Sequence, residues 1–294
     1  MTEQKISKVD YPALYQASSS ASLEAQKTYI RCIFSLLVLL VAAAIASLFS
    51  GDSQLLAIVS ALLFVATLIL SFILAAKRYD KTGYKGRALA ESVKTITWRY
   101  ITRAKPYDEP QPPIARSHFR NDLNQMLDQN RDLCQHFPAI YGDAEQITST
   151  MESIRNASLA DRMSIYQIQR IDDQRTWYAK KAGYNKRMSK RWFLLMCAFQ
   201  FLALASVLVR IAYPSWDKLP TEVLAVAAAA VLSWIQVKRF QELRTSYNFA
   251  AQEIGMVKEA LQDIKDERHF ASFVGDAENA FSREHTQWLA RRDT

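Results

Sequence analysis

Glycine and cysteine are both scarce in this chain, with seven and three among 294 residues, and their absence excludes whole classes of chemistry. Seven scattered glycines leave no Gly-rich phosphate loop, and no nucleophile-elbow motif is present. The cysteines lie apart, Cys32 and Cys197 in apolar runs and Cys134 in a polar helix, which makes neither a disulfide framework nor a metal site. His118, His136, His269 and His285 have no cysteine or carboxylate at metal-ligand spacing. The expectation is a protein that is not an enzyme, with no catalytic residue, metal or cofactor to name, although a triad assembled in space would leave no mark on the sequence. Strand-like alternation is also missing, which sets the fold class as all-α.

Charge is missing from four long stretches, and this is the most informative absence. Residues 32–50, 54–76, 192–209 and 223–237 carry no charged side chain. Segments this long and apolar can be buried in lipid. They form two pairs about 160 residues apart, the first joined at Gly51-Asp52-Ser53 and the second across residues 213–220. Each pair leaves through a matching junction, Lys77-Arg78-Tyr79 and Lys238-Arg239-Phe240, followed by a long amphipathic stretch. The chain reads as one two-span module used twice. A mean hydropathy of -0.11 hides this, because it averages membrane and water-facing parts. The polar lead-in before the first run, and the second run directly after it, argue against a signal peptide.

Basic residues flank every run on the same side. Lys27 and Arg31 precede the first, Lys77, Arg78, Lys81, Lys85 and Arg87 follow the second, and Lys180, Lys181, Lys186, Arg187, Lys190 and Arg191 approach the third. The positive-inside rule then places both termini and the large polar segments in the cytoplasm. The net charge of +8 is read as topology and attraction to anionic headgroups, so no direct nucleic-acid partner is expected.

The polar segments are helical. Leu243, Tyr247, Ala250, Ile254, Val257, Leu261 and Ile264 recur in steps of four and three, which gives one face a seam for another helix, and the helix that carries them can continue directly from the fourth span. Leu89, Val93, Ile96 and Tyr100 form a similar stripe after the second span. Pro106, Pro110, Pro112 and Pro113 mark the one clear linker. A middle helix is predicted over residues 116–136, with Asn130 either setting register in its seam or facing water. The resulting architecture is four transmembrane helices as two hairpins, with long helices continuing into a cytoplasmic helical bundle. Its segments are 1–104, a linker with connecting helix at 105–143, and 144–294.

Residues 170–182, Arg-Ile-Asp-Asp-Gln-Arg-Thr-Trp-Tyr-Ala-Lys-Lys-Ala, lead into the third span. Together with Phe273-Val274-Gly275-Asp276-Ala277-Glu278 and residues 282–288 they resemble the C-terminal type of SLATT domain, a bacterial two-transmembrane effector domain. Residues 90–100 resemble the companion SLATT type that precedes it, so the resemblance covers nearly the whole chain. It implies a multi-pass inner-membrane effector of antiphage and other conflict systems. Such an effector forms a homo-oligomeric pore or disrupts the membrane, under control of a cytoplasmic sensor or defence enzyme encoded nearby. The alternative is a non-conducting anchor that localises a soluble defence complex.

Several residues are candidates for a functional role. Ala42, Ala46 and Ser50 on the first span, and Ala225, Ala229 and Ser233 on the fourth, place small residues at every fourth position, for intrachain packing or for an oligomer interface. Val257 and Leu261 lie in the helical seam. Arg210 and Glu222 either line a pore mouth or snorkel into headgroups. Arg170, Asp173, Gln174, Trp177 and Tyr178 either receive a partner's signal or pack helices together, and Glu284, His285 and Trp288 carry the same alternatives. The fourth run, about 15 residues, would rise about 22 Å against a hydrocarbon core of about 30 Å, so residues 219–221 must enter or the bilayer must thin.

Overall fold

The computed structural model describes residues 8–51, 53–216 and 218–290, the stretch 283–290 as backbone alone. The described residues form ten α-helices and no strand. In chain order these are α1 (Ala13–Leu48), α2 (Gln54–Lys77), α3 (Tyr79–Thr102), α4 (Pro112–Gln129), α5 (Ser149–Arg155), α6 (Leu159–Tyr166), α7 (Asp173–Ala212), α8 (Thr221–Lys238), α9 (Phe240–Leu261) and α10 (Glu267–Ala290). A π-helical turn, Gln167–Asp172, joins α6 to α7. Four of these stretches are long and apolar enough to cross a membrane. They lie in α1, α2, α7 and α8, matching the four runs without charge.

The chain divides into two compact units, and each draws on both halves of the sequence. Unit 2 holds Lys27–Tyr79 and Lys180–Tyr247 and so contains all four apolar runs. Its burial is inverted relative to a water-soluble protein. Phe34, Leu62, Phe72, Phe201 and Ile211 face outward, while Ala43, Ala46, Ser60, Thr67, Ser206, Ala227 and Ala228 are buried. Large apolar side chains gain nothing by avoiding lipid, whereas small residues let helix backbones approach and hydroxyls find partners inside. Ser60 Oγ donates to Ala43 O at 3.2 Å, and the hydroxyls of Ser206 and Thr221 pair at 2.8 Å. Trp234 sits against Phe34 and Trp192, with ring centroids 5.4 and 5.8 Å away. With 18 residues, α8 rises about 27 Å, so Thr221 and Glu222 extend the fourth run close to the thickness of a hydrocarbon core.

Unit 1 takes the remainder, Met1–Gln26, Asp80–Ala179 and Asn248–Thr294. Its burial is conventional, with Trp98, Tyr100, Tyr107, Phe119, Met151, Tyr166 and Phe270 in the interior. The start of α1 buries Ala13, Ala17, Ala21 and Ala25, four apart, together with Ser18 and Ser22. Such a thin face admits a second backbone, and α3 supplies it. A Cβ on Gly86 would stand 3.1 Å from Ser18 O and from Ser22 Cβ, and Ser22 Oγ donates to Gly83 O. The seam of α9 is an inward face, with Ala250, Ile254 and Leu261 buried and Val257 half-buried. Lys258 Nζ pairs with Asp172 at 2.7 Å, which ties α9 to the π-helical turn.

Two sequence expectations are corrected here. The helices after the spans do not continue directly. Each is interrupted at one arginine in the left-handed region, Arg78 (φ 45°) and Arg239 (φ 48°), after which α3 and α9 begin. Equivalent residues of the two matching junctions thus adopt the same unusual backbone. The middle helix also starts earlier and ends sooner than predicted. Pro112 and Pro113 occupy its first turn, where a missing N–H costs nothing, and Asn130 closes it by donating Nδ2–H to Met126 O at 2.8 Å. A 3-10 turn, Arg131–His136, follows.

Candidate functional site

The signal cluster proposed from sequence is only partly a cluster. Arg170 lies in the π-helical turn and is fully buried. A π turn inserts an extra residue per turn and re-aims the side chains that follow. Tyr166, Arg170, Gln174 and Tyr178 recur four apart along this segment, and Tyr178 is buried as well. Arg170 Nη1 donates to Gln174 Oε1 at 2.9 Å. Asp173 is exposed, and Trp177 lies at the surface with its ring 5.0 Å from that of Tyr178.

The partner of Arg170 comes from α10. Nε and Nη2 of Arg170 donate to the two carboxylate oxygens of Glu278 at 2.8 and 2.7 Å, while Tyr166 Oη donates to Glu278 Oε1 at 3.1 Å. The Arg170 guanidinium also lies 4.8 Å from the Phe281 ring. Burial alone would lower the affinity of Arg170 for its proton, but the adjacent carboxylate reverses this and holds its pKa above the usual value. Desolvation pushes the Tyr166 phenol well up, and the Glu278 charge pushes it further. Above the pair, Trp98 meets Tyr166 edge-on at 5.5 Å and donates Nε1–H to Tyr11 Oη at 3.0 Å, and Gln169 Oε1 accepts from the Val9 amide. Four segments of unit 1 therefore converge on one ion pair. Sequence reasoning quoted Glu278 but gave it no role. The available signal was an acidic residue inside the apolar stripe Phe270, Val274, Phe281.

A second ionic group is built around α5 and α6. Arg162 is buried and grips Glu267 through Nη1 and Nη2 at 2.7 and 2.6 Å. Tyr100 Oη donates to Glu152 Oε1 at 2.6 Å, and Arg116 pairs with the same carboxylate at 2.8 Å. Arginine contact holds Glu152 and Glu267 below the ordinary carboxylate range, Arg116 in the first case and Arg162 in the second. Arg155 is buried with carbonyls as its partners, donating to Tyr100, Tyr107 and Glu109, and its guanidinium lies over the Tyr100 ring. None of these residues was singled out from the sequence as ionic partners.

In unit 2, Arg210 and Glu222 meet at 3.3 Å, both exposed. Ala46 is buried and Ala42 half-buried, while Ser50 lies past the end of α1 and donates to Ser47 O. Ala225 and Ala229 are exposed, since α8 turns Ala227, Ala228 and Val231 inward, and Ser233 Oγ donates to Ala229 O. The side chains of Glu284, His285 and Trp288 lie outside the described residues. Among the described residues no group of three His, Cys, Asp or Glu side chains is placed to hold a metal ion.

Residues 12–163 match the family described as SMODS and SLOG-associating 2TM effector domain 3, and residues 166–288 match SMODS and SLOG-associating 2TM effector domain 1. The second match begins at Tyr166 and contains the whole Tyr166, Arg170 and Glu278 group. No curated protein and no solved structure matches the chain.

Proposed function

The chain belongs to the SLATT family, as a multi-pass membrane protein with two such effector domains in tandem, and from that membership we propose that it is a non-enzymatic membrane effector of bacterial antiphage defence. In this reading α1 with α2 and α7 with α8 are two hairpins across the inner membrane, and unit 1 is a cytoplasmic helical bundle. A nearby-encoded sensor or defence enzyme engages the bundle when infection is detected, and several copies assemble into a pore or otherwise breach the bilayer.

The observation that supports a membrane-acting role is the inverted burial of unit 2, with large apolar side chains outward and alanines and hydroxyls inward. One chain has too few spans to enclose an aqueous channel, so a conducting state needs further copies. The exposed Ala225 and Ala229 on α8 offer a thin face for close helix approach.

A non-conducting anchor that localises a soluble complex is the second reading. It is favoured by the hydroxyls of Ser60, Ser206 and Thr221, which are hydrogen-bonded inside the unit instead of forming a polar stripe along one helix. A voltage-sensitive dye in cells carrying the whole system separates the two. Depolarisation on partner activation, lost in Ala229→Leu protein that still reaches the membrane, is the expected result. Full protection with an intact potential would leave the anchor.

A further inference from the structure

Unit 1 contains a cleft of about 860 Å³ between the end of α3, the turn before α4, the end of α5 and the face of α10. That volume is typical of small-molecule sites, about 300–1,000 Å³. Arg99, Arg103, Lys105, Arg155 and Arg268 line it, with Asp108, Glu109, Glu267 and Asp276. Of the carboxylates, Glu267 is committed to Arg162.

Three of these arginines, Arg99, Arg103 and Arg155, have neutral oxygens as their hydrogen-bond partners. Arg99 Nη2 donates to Asn279 Oδ1 at 2.6 Å and to Gly275 O at 3.3 Å. Arg103 Nε donates to Arg155 O at 2.9 Å, and Arg155 donates to backbone carbonyls alone. Among the described residues no ion pair joins any of the three to a carboxylate. Two nearby acids are spent elsewhere, Glu152 on Arg116 and Glu267 on Arg162, while Asp108, Glu109 and Asp276 line the cleft without an ion pair to these arginines. Burial lowers the pKa of Arg155, and the charges of Arg103 and Arg162 push the same way against the opposing pull of Tyr100 and Glu152. Arg99 Nε–H is buried without a hydrogen-bond partner. A buried donor with no acceptor is uncommon, and beside two guanidinium groups that make no ion-pair contact with a carboxylate it points to an anion.

We propose that this cleft binds a small phosphate-bearing molecule through Arg99, Arg103 and Arg155. A carboxylate saturates one guanidinium fork, whereas a phosphate presents several charged oxygens and accepts from more than one arginine at once. The cleft holds about 860 Å³, so the ligand is small. The proposal stands whether or not the spans conduct.

The test is calorimetric titration of the full chain in neutral detergent with inorganic triphosphate, against sulfate and poly-glutamate at matched ionic strength. Saturable binding of triphosphate is expected, weakened at least about tenfold by Arg103→Asn or Arg99→Gln. Arg131→Glu, at an exposed residue away from the cleft, should leave it unchanged. Asparagine tolerates the left-handed backbone of residue 103, and Arg99→Gln carries the test if the other variant fails to fold. Repeating the titration in nanodiscs with and without phosphatidylglycerol assigns the source. Competition by that lipid makes the ligand a headgroup phosphate, and indifference makes it a soluble one. No saturable heat in the millimolar range, equal binding of poly-glutamate, or equal loss in Arg131→Glu would overturn the proposal.

Discussion

Arg170 and Glu278, 108 residues apart, form a two-bonded ion pair in which the guanidinium is 1% and the carboxylate 0% exposed. Removing both charges from water is costly, and their attraction repays it only because Gln174 and Tyr166 satisfy further donors and acceptors. Breaking one side is therefore far worse than replacing both. Glu278→Gln should destabilise unit 1 by about 3–5 kcal/mol, because Arg170 stays charged and buried. Arg170→Met with Glu278→Leu should recover most of that loss. Urea unfolding of the detergent-solubilised chain, followed by tryptophan fluorescence, checks both; an unchanged midpoint in Glu278→Gln would remove the pair from any structural role.

Acid should loosen the second ionic group. Glu152 and Glu267 have depressed pKa values in the folded chain, so their stabilisation is fully present above the unfolded carboxylate value of about 4.3 and is lost as pH falls through the folded values. The melting temperature should be flat near neutrality and fall below about pH 4, with a shallower acid slope in Glu267→Gln. Glu267 is half exposed, so the neutral-pH cost of that variant comes chiefly from Arg162, which keeps its bond to Thr102 O. A slope identical to wild type would show that the pair is not titrating as described.

Arg78 and Arg239 should respond oppositely to glycine and to a β-branched residue. An L-residue in the left-handed region costs about 1–2 kcal/mol, and glycine removes that cost while adding about 0.5–1 kcal/mol of unfolded-state entropy. Arg78→Gly should thus be neutral to slightly stabilising, and Arg78→Val destabilising by about 1–2 kcal/mol. Parallel behaviour at Arg239 would tie the two junctions together as equivalent parts of a repeated module. Thermal melts of the four single variants decide it.

What was legible in the sequence follows physical range. The four apolar helices and the α9 seam at Ala250, Ile254 and Leu261 are local periodicities, and the seam faces inward as its spacing requires. The breaks at Arg78 and Arg239 were not legible because no glycine or asparagine, the usual residues at such helix ends, stands there. Arg103 closes α3 in the same backbone region, with Ala104 N–H bonded to Arg99 O and Arg103 N–H to Tyr100 O. The Arg170 to Glu278 contact was out of reach for another reason. Each residue lay in a motif that had been noticed, but a pairing across 108 residues leaves no periodic trace in one sequence.

The small residues of α1 and α8 should prove unequal when enlarged. Ala43 is 0% exposed, and its carbonyl accepts from Ser60 of α2, so a larger side chain there must push two backbones apart. Overpacking of this kind costs about 1–3 kcal/mol, and Ala43→Leu should lower the unfolding midpoint of the single chain. Ala229 is exposed within the chain, so Ala229→Leu should unfold like wild type. Its effect should appear between copies, as loss of the higher-order species in crosslinking or light scattering once the partner is present, because a thin helix face has been filled. If Ala229→Leu melts early, the alanine belongs to the fold of one chain. If it leaves both melting and assembly unchanged, that face of α8 meets only lipid and the copies associate elsewhere.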